Sequence, residues 1–106
     1  MVDVLMTPIF EDWLNHLKDR QGRLRILARI DRMRTGNLGD VKAVGSGVYE
    51  LRFTHGPGYR LYFLKDGKRM VLLLIGGDKS TQVRDINTAK QLALEWKRSE
   101  GGLGGK

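Results

Sequence analysis

The sequence predicts a single α+β domain with the element order β-α-α-β-β-β-α, in which an antiparallel meander is flanked by helices. Three observations carry that expectation. The length of 106 residues suits one domain. Helical periodicity occurs near both ends of the chain. Between them lie three short alternating runs joined by Gly-containing turns. The domain is expected over residues 1–98, with 99–106 as a flexible Gly-rich tail.

Residues 2–6 read as a short strand of β-branched and apolar residues. Thr7 follows as a helix N-cap and Pro8 as the first helical residue, where its missing N–H costs nothing. Phe10, Trp13, Leu14 and Leu17 recur at helical spacing to about Asp19, and Gly22 marks a break before a second helix over roughly 23–34. Residues 36–47, with four glycines, read as a loop. Strands are expected at Val48–Thr54, Tyr59–Leu64 and Arg69–Ile75, the last two joined by an Asp66-Gly67 hairpin turn. Ile86, Ala89, Leu92, Ala93 and Trp96 then place a final helix over about Thr81–Arg98.

Composition narrows the function classes. With 41% hydrophobic residues the chain can bury a core. It has no Cys, which excludes disulfides, thiol nucleophiles and Cys-ligated zinc. No apolar run approaches the ~20 residues of a membrane span, and the N-terminus lacks the basic flank of a signal peptide. The expectation is a cytoplasmic protein with no membrane partner. Nineteen Lys and Arg against 12 Asp and Glu leave a charge of +7, which implies an anionic partner. Seven of those cations lie in Lys18–Arg34. There Arg25, Arg29 and Arg32 share one helix face while Ile26, Ile30 and Met33 share another. That stripe is either a solvated face or a surface for phosphates or an acidic protein.

Strand alternation locates a second cluster. Tyr49, Leu51 and Phe53 in one strand and Tyr59, Leu61 and Phe63 in the next are all odd-numbered, so the apolar faces match only in a register with an even residue sum. Arg52 and Arg60 then share the opposite face. Counting back from a two-residue Asp66-Gly67 turn places Tyr62 opposite Val71 and Arg60 opposite Leu73. Extended backbone through Gly76-Gly77 would bring Lys79 out on the same side. With Glu50, Tyr62 and His55 nearby, these residues form either a phosphate cradle with titratable groups or the solvent side of a sheet.

The runs Arg34–Lys42, Val48–Arg52, Gly56–Tyr62 and Leu72–Gln82, above all GPGYR with GGDKSTQ, resemble the addiction-module killer proteins of the RelE/ParE toxin superfamily, with HigB the nearest well-known relative. The resemblance covers roughly residues 5–97. It implies a RelE-like fold and a toxin of a type II toxin–antitoxin pair. Many members are ribosome-dependent mRNA endoribonucleases that use no metal or cofactor and work by attack of a ribose 2′-OH on the adjacent phosphate. The resemblance further implies a helix-turn-helix antitoxin as partner, in a possible heterotetramer, with the ribosome and mRNA as targets. Position by position, Arg60 matches the family's arginine after tyrosine, Arg52 a basic residue on the preceding strand, and Lys79 a basic residue after the last strand. Glu50 stands where RelE has lysine, and the C-terminal tyrosine of RelE has no counterpart, Gln82 being the nearest polar residue. His55 and Glu50 both remain open as the proton acceptor, and Tyr62 is expected to stack on a base. RNA contacts are expected from Tyr62, Gln82 and the Arg25, Arg29 and Arg32 stripe. A DNA gyrase inhibitor of the ParE kind and a non-catalytic RNA- or ribosome-binding module are the alternatives.

Overall fold

The computed structural model describes residues 1–104. Strand β1 (Asp3–Met6) leads into helices α1 (Pro8–Asn15) and α2 (Arg20–Arg34). Strands β2 (Val41–Gly45), β3 (Val48–Arg52), β4 (Tyr59–Asp66) and β5 (Met70–Asp78) follow, then a 3-10 turn (Lys79–Thr81) and helix α3 (Gln82–Gly104). The five strands form one sheet in the order β1-β5-β4-β3-β2, with β1 parallel to β5 and the other pairs antiparallel. The domain is thus a mixed α+β fold, as expected, with one more strand than the sequence predicts.

That extra strand is β2, within the segment read as a loop. Gly36 and Gly39 precede it and Gly45 and Gly47 belong to its turn into β3. Between them Val41 and Val44 face opposite sides of the sheet and pack on opposite cores. Glycine density here marks the ends of a short edge strand instead of its absence.

The sheet is covered on both faces. Phe10, Leu14, Ile26, Ile30 and Met33 of α1 and α2 pack on Leu51, Leu61, Phe63, Val71 and Leu73. Ala89 and Ala93 of α3 pack on Val48, Tyr62, Leu64, Leu72 and Leu74. Thr7 caps α1 as predicted, its hydroxyl accepting from the Phe10 N–H at 3.0 Å.

The helix boundaries differ from expectation. Helix α1 closes at Asn15 with His16 as its cap, short of Asp19. Asp19 instead opens α2, accepting from the Gly22 N–H at 3.0 Å and from the Tyr59 hydroxyl at 2.9 Å. Gly22 therefore lies inside the first turn and breaks nothing: a β-carbon there would stand 2.5 Å from the Tyr59 ring. Helix α3 continues beyond Arg98 to Gly104, because extending a nucleated helix costs far less than starting one. Residues 105–106 of the expected tail lie outside the described residues.

The Asp19–Tyr59 bond gives a pH signature. The Gly22 N–H and the Tyr59 hydroxyl hold the Asp19 carboxyl below its ordinary value of 3.8, and burial with the bond to Asp19 pushes Tyr59 up to about 12. A depressed carboxyl contributes stability above its unfolded pKa and loses it as pH falls through the folded one. Asp19→Asn keeps a capping acceptor and removes the charge. Its melting temperature should lie below wild type at pH 6, the gap closing as pH drops below 3.8. A gap of equal size at both ends of a pH series of thermal melts would refute this account.

The parity of the β3–β4 register is the predicted one, and within it Arg52 pairs with Arg60 and Glu50 with Tyr62. The register of β4 on β5 is not. Asp66 remains in the strand opposite Met70, and only Gly67 of the connection takes a positive φ, so the type I′ turn does not form. A three-residue turn over Gly67–Arg69 and a bulge between Tyr62 and Phe63 set the pairing. Tyr62 consequently faces Ile75 and Arg60 faces Gly77, while Val71 and Leu73 turn to the α1/α2 side.

Candidate functional site

The site lies where the ends of β3 and β5, the start of β4 and the start of α3 meet. Extended backbone runs through Gly76 and Gly77 to Asp78, whose carboxylate accepts from the Ser80 N–H and caps the 3-10 turn. That turn projects Lys79 toward the β3–β4 loop. Arg52, Arg60 and Lys79, with Phe53, Thr54 and Gly56–Gly58, line one open hollow of about 340 Å³. The three cations read from strand alternation and from the family resemblance therefore converge. Gly58 lets them do so: its φ is +76°, and a β-carbon there would lie 3.3 Å from both Arg60 Nη1 and Lys79 Cβ.

Arg60 is the buried cation of the three, at 8% exposure. Its Nη1 donates to the Gly58 carbonyl at 2.9 Å. Its Nε makes no hydrogen bond among the described residues and lies 3.8 Å from Glu50 Oε2. Arg52 has a half-exposed side chain, and Lys79 is exposed. Such a graded set, in a partly desolvated hollow, suits an oxyanion.

Glu50 is the hub beneath them, at 1% exposure. Its Oε1 accepts from Arg52 Nε at 3.0 Å. Its Oε2 accepts from Gln82 Nε2 at 2.8 Å and from the Tyr62 hydroxyl at 3.1 Å. Burial alone would raise its carboxyl, but these bonds prevail and hold it below the usual carboxylate range. A carboxylate so engaged is a poor proton acceptor. Tyr62 is fully buried, its hydroxyl pushed well above the usual tyrosine range by burial and the Glu50 charge. It has no ring face to offer, so the expected base stacking is corrected: Tyr62 is a core residue tied to Glu50.

His55 is exposed in the β3–β4 loop and borders a neighbouring hollow of about 450 Å³, which Arg25, Arg29, Arg32, Asp40 and Arg52 also line. The α2 stripe and the site are thus adjacent, with Arg52 a wall of both hollows. Arg29 is anchored there, its guanidinium 5.6 Å from the Phe53 ring centroid. Among the described residues no group of three His, Asp or Glu side chains is placed to hold a metal ion, and no helix is long and apolar enough to cross a membrane.

Sequence reasoning missed Asp85. It is buried behind Gly77, accepts from the Thr81 hydroxyl, and so ties the turn carrying Lys79 to α3. The available signal was the i, i+4 spacing of Thr81 and Asp85 just past Gly76-Gly77.

Fold and site together define a small α+β domain that carries an arginine-lined hollow at one end of its sheet. The model of the family described as Phage derived protein Gp49-like (DUF891) matches residues 12–94, and the chain belongs to that family. The family falls within the RelE/HigB-like group of toxin–antitoxin toxins. An uncharacterized protein of Haemophilus influenzae is 46% identical over 94 residues, covering 89% of this chain and 95% of its own. A conserved hypothetical protein of Helicobacter pylori, solved in solution, aligns with a TM-score of 0.46 and 16% identity over 76% of this chain and 97% of its own.

Proposed function

We propose that the protein is the toxin of a toxin–antitoxin pair and acts as a ribosome-dependent mRNA endoribonuclease. The observation that supports this reading best is the convergence of Arg52, Arg60 and Lys79 on one hollow. In the proposed reaction the ribose 2′-oxygen attacks the adjacent phosphorus. The P–O2′ bond forms as the P–O5′ bond breaks and the departing 5′-oxygen takes a proton from water, leaving a 2′,3′-cyclic phosphate and a 5′-hydroxyl. Arg52, Arg60 and Lys79, which line the same hollow, neutralise the charge that builds on the non-bridging oxygens. Glu50 is engaged by three donors, so the role of accepting the 2′-OH proton falls to His55, an exposed imidazole on the loop beside the hollow. The Arg25, Arg29 and Arg32 stripe continues the basic surface along which an RNA backbone would lie. The cognate partner is proposed to be a helix-turn-helix antitoxin in a heterotetramer, and the compartment the cytoplasm.

Induced expression followed by mapping of transcript 5′ ends tests the reading. New ends within translated messages, lost when translation is blocked, are the expected result. DNA breaks and an SOS response with translated messages intact would overturn it in favour of gyrase inhibition.

A further inference from the structure

Glu50 is a buried carboxylate that the proposed reaction does not use, yet it contacts more of the site than any other residue described above. Its donors come from three elements: Arg52 on its own strand β3, Tyr62 on β4, and Gln82 at the first position of α3. The Arg60 Nε sits 3.8 Å away, outside hydrogen-bond reach and without another partner among the described residues. A negative charge directly beneath an oxyanion site opposes binding by Coulomb repulsion, so its place there needs a compensating effect. The bond to Arg52 supplies one. Arg52 is half exposed, and a long exposed side chain loses several rotors when it is held in one place.

We infer that Glu50 is a positioning residue, a buried anchor that fixes the Arg52 guanidinium at the wall of the hollow so that a phosphodiester meets a preformed site. This rests on the phosphodiester reading of the hollow, and on nothing about the general base. It separates two effects of opposite sign. If Glu50 acts only as a charge, removing that charge strengthens anion binding. If it acts as an anchor, removing it weakens anion binding, because the ordering of Arg52 must then accompany each binding event.

The test is an NMR titration of the purified chain with the deoxydinucleotide dTpdA, which has no 2′-OH and cannot be cleaved, while the Arg52 Nε–Hε resonance is followed. Glu50→Gln, which presents one acceptor oxygen in place of two, and Glu50→Asp, which keeps the charge but shortens the reach, are both expected to bind about tenfold more weakly than wild type. The Arg52 resonance should lose its protection from exchange in both. Tighter binding by Glu50→Gln, wild-type binding by Glu50→Asp, or an Arg52 resonance unchanged in both would each overturn the inference. Should neither variant fold, Tyr62→Phe decides the matter, since it removes one donor and keeps charge and packing. Two- to threefold weaker binding is then expected, and unchanged affinity overturns the inference. Wild-type chain that binds dTpdA but leaves translated messages intact would fail the endoribonuclease reading and leave the anchor role to be judged by the titration alone. Wild-type chain that does not bind dTpdA overturns the anchor inference itself.

Discussion

Replacing Arg60 by Ala is expected to abolish growth arrest and to slow cleavage of translated messages by on the order of 10²–10³-fold, the usual cost of one preorganised donor to a developing oxyanion. Arg60 is the one cation of the hollow that is itself buried, so its charge acts through the least screened medium. Its Nη1 is fixed by the Gly58 carbonyl and its Nε has no hydrogen-bond partner among the described residues. A charge held in place at the wall of the hollow is poised for an anion. Removing it leaves Glu50 with the bonds from Arg52, Gln82 and Tyr62, so the fold should survive. The measurement is arrest of cells together with the melting temperature of the purified variant. A well-folded Arg60→Ala protein that still arrests growth would remove the hollow from the mechanism. Arg60→Lys, which keeps the charge but not the planar fork, should recover only part of the activity.

Replacing Gly76 by Ala is expected to destabilise the domain by about 2–3 kcal/mol, the range for forcing a methyl into a filled space. A β-carbon at Gly76 would stand 2.3 Å from two atoms of the Trp13 ring. The ring cannot step aside easily, because it leans on Phe10 with centroids 5.7 Å apart and meets Tyr59 edge-on at 6.1 Å. Urea unfolding measures the effect directly. Gly67→Ala is the control: no atom lies within 4 Å of its added methyl, so only the strain of a φ of +56° is felt, about 1 kcal/mol. If the two variants lose equal stability, the contact with Trp13 is not what requires glycine at position 76.

These two residues also mark how far the sequence could be read. The apolar alternation of Tyr49-Leu51-Phe53 against Tyr59-Leu61-Phe63 determined the parity of the register and so put Arg52 and Arg60 on one face, where the structure pairs them directly. A period of two leaves no freedom there, since a slip by one residue would turn every side chain over. The hairpin after β4 depended on turn chemistry instead. The Asp-Gly pair pointed to a two-residue turn, but the sheet demanded that Asp66 stay in the strand, and the shift moved Arg60 from opposite Leu73 to opposite Gly77. For Gly76-Gly77 the sequence suggests extended backbone leading to Lys79, and the structure keeps it. They are strand residues whose missing side chains are replaced by Trp13 on one face and Asp85 on the other, and no local pattern announces a partner more than sixty residues upstream. Tyr62 was misjudged for a related reason: β3 and α3 together close over it, and α3's contribution is a tertiary fact.

The parallel pairing of β1 with β5 bears on the order in which the chain can fold. Asp3 pairs with Met70 and the Thr7 hydroxyl donates to the Leu74 carbonyl at 2.7 Å, so the first strand has no partner in the sheet until the last one exists. Contacts of such sequence separation are late and slow to form. Lys79 and Gln82 lie beyond that point as well. On a chain emerging from its own ribosome, the N-terminal strand must therefore wait for its sheet partner, and the basic hollow is completed only once Lys79 has been made. For a protein proposed to attack translating ribosomes, that order delays assembly of the site until the last strand and the turn after it have been made.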